Sequence, residues 1–598
     1  MDKIRISFTY KYALLAAVFG FVFAFYGCDD DDNVEPSIVL EDTSITFYPD
    51  AGTNVKQVTF NSTEAWELEP IGVDWLKITP TSGRAGKNVL EVRMTEEKFT
   101  EMKDVDVTIV SMGVRQSFKV KVDGLRTTGV IFDNPPTLLR VGDKRKLTYL
   151  SIPDEGSVES VSWKSSAPNI ISVDGEGNVE ALSDGKATIG VTLNDSLTAS
   201  CDIESSSEGV LSLKMLSEND SYPVTFEDGA YVVEDNLVIE EGTILRILED
   251  NVVMKIKNKV EINVVGEIDF SPKGQSTIMR YDDSSEPKPI KVTGDLAGAT
   301  IKNMKFVGVA FNFGAGKPVV IDNSEFSDVT IKKPVIELYR NSYLVVTNCK
   351  FMNNAYPVLS SAANSTSPML FKDNYLFKNS AIATNRPQIN AGIGGDYPVE
   401  IIGNEVIGIA KAINRGCGCI SVSNLMGMGG TNKVVISGNK VRDARFGITT
   451  NGMMDVEIKD NEIYDNKYEP DPNNGGSAIS IYSGKSTPKV IISGNIMKGN
   501  LWGVTLIGDS RDFAAGPDVN MGNLTEGEDY NVGKNQFLGN GHDGVLYELV
   551  NNSPNPVSAV NNIWGNNLQS EEEIEKLITH KKDDPKLGEV TFMPPYRK

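Results

Sequence analysis

The residues best able to do chemistry cluster in and around two long insertions in the C-terminal half. Residues 464–476 carry Asp465, Glu469 and Asp471, and residues 508–529 carry Asp509, Asp512 and Asp518. Carboxylates gathered this way can supply the several oxygen ligands that Ca²⁺ requires, which makes Asp465, Asp471, Asp509 and Asp512 candidate metal ligands. Lys411, Arg415 and Arg445 fall close by, and His542-Asp543 is a further candidate pair, although neighbours on a strand point to opposite faces. A set of uncharged side chains, Asn414, Thr449, Asn451, Ser480, Tyr482 and Thr505, could hydrogen-bond a hydroxylated ligand. Each of these residues, taken singly, also fits an ordinary solvated surface.

What must position them is a repeat. The phrase Ile436-Ser-Gly-Asn439-Lys-Val441 returns as Ile458-Lys-Asp-Asn461-Glu-Ile463 and Ile492-Ser-Gly-Asn495-Ile-Met497. Weaker copies centre on Met304, Ser324, Cys349, Asn374, Asn404, Asn535 and Asn562, so successive centres lie 20 to 40 residues apart. A period in the twenties with irregular insertions marks a solenoid, whose units are too short to bury an apolar face alone and must stack. The apolar runs are short and β-branched and are punctuated by Gly, Asn and Asp, so the stacked element is strand. Asn at a fixed point of each unit predicts an amide ladder along one bend. A second phrase, Gly447-Ile448-Thr-Thr450, Ala478-Ile479-Ser-Ile481, Gly503-Val504-Thr-Leu506 and Gly544-Val545-Leu-Tyr547, suggests three strands per turn. Its outward positions would include Asn414, Thr449, Ser480 and Thr505, then Asn451, Tyr482 and Ile507.

The repeat resembles the right-handed parallel β-helix of the pectate-lyase-like superfamily over residues 210–568. That resemblance implies a substrate lying along one strand face beside the long loops. It also implies, in the Ca²⁺-dependent lyases, an Arg or Lys base, for which Lys411, Arg415 and Arg445 are the candidates, with His542 a further catalytic candidate. Gly541-His542-Asp543-Gly544 departs from the Gly-His-Gly of polygalacturonase-like enzymes, and no complete catalytic motif is present. The fold hosts lyases, hydrolases, binding proteins and adhesins, so it does not name an activity.

The rest of the chain bounds the reading. Among 598 residues, 58 are basic and 81 acidic, a net charge of −23 that argues against a nucleic-acid partner. Two His nearly exclude a His-rich metal site, and Cys28, Cys201, Cys349, Cys417 and Cys419 show no disulfide-framework spacing. Basic residues followed by an apolar run over 13–25 read as a secretory signal. Gly27-Cys28 resembles a lipobox, with residues 1–27 as signal peptide and Cys28 as the acylated residue. The acidic tether 28–37 resembles the export signal of Bacteroidetes surface lipoproteins, which implies an outer-membrane, surface-displayed protein.

Residues 38–124 alternate like a small β-sandwich. Ala51-Gly52, Trp66, Trp75-Leu76 and Pro80-Thr-Ser-Gly83 there resemble the BACON domain, often described as carbohydrate-binding, although both Trp also suit a sandwich core. Residues 125–206, with Val141-Gly142-Asp143, Val161-Ser-Trp163 and Gly185-Lys-Ala187-Thr-Ile189, follow the bacterial Ig-like group 2 pattern, which implies a stalk or adhesion module. Residues 242–247 and 260–264 read as N-terminal capping coils. Residues 569–598, with a capping box at Ser570-Glu-Glu-Glu573 and His580 on the surface, read as a C-terminal cap. The expected fold is all-β: two small Ig-like sandwiches, then a right-handed parallel β-helix with a short helical cap. The expected partner is a polysaccharide, met by a monomer; Ca²⁺-dependent lyase, glycoside hydrolase and surface adhesin stand as alternatives.

Overall fold

The computed structural model describes residues 35–597 apart from 48–53, 96–101, 123–126, 134, 137, 153–155, 207–208, 340–342, 383–385, 510–512 and 514. Cys28, the apolar run before it and residues 29–34 of the acidic tether lie outside the described residues, as does Asp512. No helix among the described residues is long and apolar enough to cross a membrane. The chain is all-β and divides into two compact units.

The first unit is a sandwich. One sheet orders Ile38–Leu40, Val55–Ser62, Gly86–Met94 and Leu76–Thr79; the other orders Ser44–Phe47, Val114–Val122, Lys103–Ser111, Trp66–Leu68 and Ser82–Gly83. Alternate residues point inward, as period-2 patterning requires. Phe47, Val58, Phe60, Val107, Ile109, Phe118 and Val120 are buried. Trp66 and Trp75 are buried among them, with Trp66 edge-on to Phe60 at 4.9 Å between centroids. Both are core anchors, unavailable to stack on a sugar.

The second unit holds an Ig-like module and a parallel β-helix. The helix has three sheets, of 14, 14 and 13 strands among the described residues. Each turn contributes one strand to each: for example Lys433–Ser437 to sheet A, Lys440–Arg442 to sheet B and Ile448–Asn451 to sheet C. Inward side chains of all three form one continuous core, in which Phe306, Phe326, Phe351 and Phe371 stack turn upon turn.

The repeated phrase is explained by the corner between sheets A and B. In seven successive turns that corner is two residues long: 323–324, 348–349, 373–374, 403–404, 438–439, 460–461 and 494–495. The first residue adopts positive φ, as Asn323, Asn348, Asp373, Gly403, Gly438, Asp460 and Gly494 do, which is why only Gly, Asn or Asp stands there. The second faces inward, and from Asn374 onward it does so with an amide. Asn374, Asn404, Asn439, Asn461, Asn495, Asn535 and Asn562 form an unbroken ladder, each backbone N–H and Nδ2 donating to the next Oδ1 at 2.9–3.1 Å. Cys349 is the small buried residue that enters it, its N–H donating to Asn374 Oδ1.

A second ladder, absent from the sequence reading, runs along the corner between B and C. Asn354 donates to Asn379; farther on, Asn466 donates to Asn500, Asn500 to Asn540, and Asn540 to the Glu548 carboxylate. Between the two runs, buried Ile409 and Ala444 fill the corner, and Gln388 bridges by accepting from Asn379 and donating to Ile407 O.

Several expectations change at the ends. Residues 242–247 and 260–264 contribute ordinary strands, Ile244–Ile247 and Ile262–Val264; the N-terminal cap is instead helix α1, Leu213–Ser217, which buries Leu213 and Leu216. At the C-terminal end α2 is Glu571–Glu575, and Ser570 makes no side-chain cap bond. His580 is buried, its Nδ1 accepting from Val590 N–H while Nε2 meets Glu575, because it pins the last strand to the helix. Gly544-Val545-Leu-Tyr547 is not a turn of sheet C. It closes a hairpin with Gly541–His542, and the sheet C strand follows at Leu549–Asn552.

The Ig-like module packs against the outer face of sheet A. Ile131 and Leu150 sit on Val320, Tyr343, Val345 and Leu370. Beside this patch Arg145 grips Asp269 with two nitrogens and reaches Ser271 Oγ at 3.2 Å, while Arg246 donates to Asp143 at 2.5 Å. Burial pushes the Asp269 carboxyl up, but Arg145's hydrogen bond and charge outweigh it and hold the group below its ordinary value. Neighbouring Glu267 is pushed up to about 7 by burial, which Lys317 only partly offsets.

A walled trough on sheet C as the candidate functional site

From 319 to 498 the corner between A and B is two residues long, so insertions there enter at the two corners that flank sheet C; the fifteen-residue A–B connection 521–535 lies beyond this stretch. Between 319 and 502 the connections at those two corners range from three residues at 452–454 and 499–501 to twelve at 408–419 and 465–476. They stand on both sides of one sheet and turn its outer face into a trough.

The floor is a register row. Asn312, Glu337, Ser360, Asn390, Ser421 and Thr449 pair in sequence across adjacent strands, about 4.8 Å apart. All six are half-buried and point outward, because the residues alternating with them fill the core. From Ser360 to Thr449 the row is uncharged, and the parallel row beyond it, Ala362, Gly392, Ser423 and Asn451, is uncharged as well.

Each wall is tied together by hydrogen bonds. On the B side, Asn414 Nδ2 donates to Ser380 O, and Arg415 donates to Tyr468 O and to Glu469, each at 3.1 Å. On the A side, Thr431 and Asn432 both donate to Gly395 O, and Asn424 donates to Met453 O. Exposed large apolar side chains mark these walls: Tyr339, Tyr397, Leu425, Met426 and Met453 on one, Ile382 and Ile413 on the other. Between residues 311 and 460, no exposed large apolar side chain of the described residues lies anywhere else.

The insertion at 465–476 ends the trough. Tyr482 stands at the far end of strand Ser477–Tyr482, yet its hydroxyl donates to Asn473 O at 2.7 Å, so the loop that enters at 477 reaches out over the floor to meet it. Trp502 Nε1 holds it by donating to Pro470 O at 3.2 Å. Beneath it Ser480 and Thr505 are each only 1% exposed.

The candidate residues therefore separate. Thr449 and Asn451 are on the open floor, and Tyr482 is part of the cover. Ser480 and Thr505 lie under the loop, which corrects their expected place on an open stripe; Ile507 is buried too. Asn414 is in a wall, not on a strand, and is buried where it holds Ser380. Lys411 is exposed on the same wall. Arg415 is engaged with Glu469. Burial lowers the pKa of the half-buried Arg445, whose Nε finds no hydrogen-bond partner among the described residues. His542 and Asp543 do meet, at 2.9 Å, because positive φ at Asp543 turns the hairpin. His542 Nε2 lies buried between Trp502 and Tyr547, with no hydrogen-bond partner among the described residues.

The carboxylates do not converge. Asp471 caps its own loop by accepting from Asn473 and Asn474, and Asp465 pairs with Lys467. Asp509 is buried in a separate connection. No group of three or more His, Cys, Asp or Glu among the described residues could hold a metal ion. Cys349, Cys417 and Cys419 are buried thiols whose pKa burial raises, and Cys201 is half-buried.

Comparisons with known proteins bear on the Ig-like part. Residues 126–203 match the bacterial Ig-like domain (group 2) family. An uncharacterised protein of Clostridium acetobutylicum is 32% identical over 113 residues, which is 18% of this chain and 12% of that protein's length. A fragment of intimin, solved with the intimin-binding domain of its translocated receptor, is similar over 31% of this chain and 71% of its own, at 16% identity and a TM-score of 0.18. Invasin, described as a bacterial integrin-binding protein, is similar over 28% of this chain and 38% of its own, at 13% identity and a TM-score of 0.15. Mouse cadherin-23 repeats give 14% identity and 0.17 over 30% of this chain and 72% of theirs. Scores this low carry no argument about what this chain binds.

Proposed function

We propose that this chain is a surface-displayed lipoprotein, acylated at Cys28, that binds polysaccharide in the trough of sheet C as a monomer serving glycan utilisation. The observation that supports the reading is the pairing of a hydrogen-bonding floor with apolar walls. Sugars present hydroxyls at their edges and C–H groups on their faces; Ser360, Asn390, Ser421 and Thr449 suit the first, and Tyr339 and Tyr397 the second. Among the described residues, no group of three or more His, Cys, Asp or Glu is gathered as a Ca²⁺-dependent lyase would need.

Affinity gels cast with neutral and acidic glycans, with and without EDTA, test the reading. The expected result is retardation that EDTA leaves unchanged, with no release of sugar. Ultraviolet absorbance from unsaturated uronides would move the protein to the lyases. Absence of retardation on every glycan would remove the trough's proposed role and favour an adhesin.

A further inference from the structure

The trough is open at one end and closed at the other. Towards the N-terminus its floor continues through Glu337, Asn312, Lys291 and Asn263 with all four half-buried. Towards the C-terminus it stops after Thr449, where residues 465–476 lie over the floor and Ser480 and Thr505 are only 1% exposed. That barrier is fastened at three places: Arg415 to Tyr468 O and Glu469 on the near wall, Pro470 O to the Trp502 indole, and Asn473 O to the Tyr482 hydroxyl. A polymer threading the trough lengthwise would have to displace all three.

We infer that the trough takes the end of a glycan chain and not its middle, and that the chain it takes is uncharged over the last few sugars. The uncharged stretch Ser360, Asn390, Ser421 and Thr449 spans three strand intervals, about 14 Å, room for roughly three sugar rings laid along it. The charged floor residues, Lys291 and Glu337, lie only at the open end, and each is already engaged: Lys291 with Glu261 at 2.7 Å and Glu337 with Lys333 at 3.1 Å. A carboxylated sugar next to the barrier would meet no free cation on the floor; of the cations on the adjoining wall, Arg415 is paired with Glu469 and Lys411 points to solvent. This inference rests on the glycan-binding reading and adds the direction of entry and the charge of the ligand.

Binding stoichiometry tests it on the full soluble chain. Laminarin, β-mannan, xylan and polygalacturonate are each cut to a series of mean lengths, and saturation is measured by calorimetry. For the neutral glycan that binds, the expected stoichiometry is one protein per chain at every length, and affinity levels off at three to four sugars. Several proteins per long chain would overturn entry by the end while leaving glycan binding intact. Binding of polygalacturonate alone would overturn the uncharged ligand. No binding to any of the four would overturn the reading beneath both. A second variant, with 467–474 replaced by four Gly-Ser residues, keeps the Asn466 rung. It is expected to load several proteins per long chain; if it keeps one per chain with its fold intact, the barrier is not what sets the stoichiometry.

Discussion

Sheets A and C are built from the same turns, yet their outer faces have opposite fates. On A the outward row Val320, Val345, Leu370 is apolar and is covered by the Ig-like module; on C the row Ser360, Asn390, Ser421 is polar and stays uncovered. Inward residues cannot tell the faces apart, since both sheets feed one core. The contrast teaches that in a stacked fold the outer row, read along the register and not along the chain, separates a surface built for the protein's own use from one left for a ligand.

The sharpest way to break the contrast is at the charged edge of the A-side seam. Asp269→Ala would strand Arg145 in a buried site, while Arg246 keeps Asp143. A loss on the order of 3–5 kcal/mol is expected, measured by urea denaturation, with earlier proteolysis of the Ig-like module. Glu267→Gln should act the other way. The folded pKa of Glu267 is raised to about 7, so above that pH a buried charge opposes folding, and the penalty fades as pH falls towards the unfolded carboxylate value. The variant should therefore be more stable than the parent at pH 8, by on the order of 1–3 kcal/mol, with the gap closing by about pH 4; scanning calorimetry at the two pH values decides. Asp269 has the opposite sign: its folded pKa is lowered, so its contribution is present above the unfolded value and is lost as pH drops further.

On the C side, effects should fall on binding and spare stability. Tyr397→Ala should weaken glycan retention about three- to tenfold, the equivalent of an aromatic contact of roughly 0.5–1.5 kcal/mol, with an unchanged melting temperature. Ser421→Ala should change stability by less than about 0.5 kcal/mol and yet reduce retention measurably. A large stability loss at Ser421 would mean that the floor is structural after all.

Much of the column was legible. The phrase with Gly, Asp or Asn before Asn encodes a left-handed residue followed by a ladder rung, and both leave marks in sequence. The second ladder hides because Ile409 and Ala444 interrupt it and because the connections after it vary in length. The phrase at Gly544 misled because a hairpin and a sheet strand share the same alternation; only pairing separates Val545–Leu546 from Leu549–Asn552. The site was half legible. Thr449 and Asn451 sit where the alternation puts them. That Ser480 and Thr505 are roofed depends on where a twelve-residue insertion comes to rest, which its composition does not encode. The docking of the Ig-like module was invisible for a similar reason: Val320, Val345 and Leu370 adjoin only after stacking, 25 residues apart in sequence.

The Asn rungs also have a bearing on inheritance. Because each rung repeats the geometry of the last, duplication of one whole turn would slide into the stack with both termini undisturbed, and loss of one would shorten it as cleanly. Descendants of this chain could thus lengthen or trim their binding surface in fixed steps, much as notches are added to a measuring rod, while the barrier at its end travels along as a movable stop.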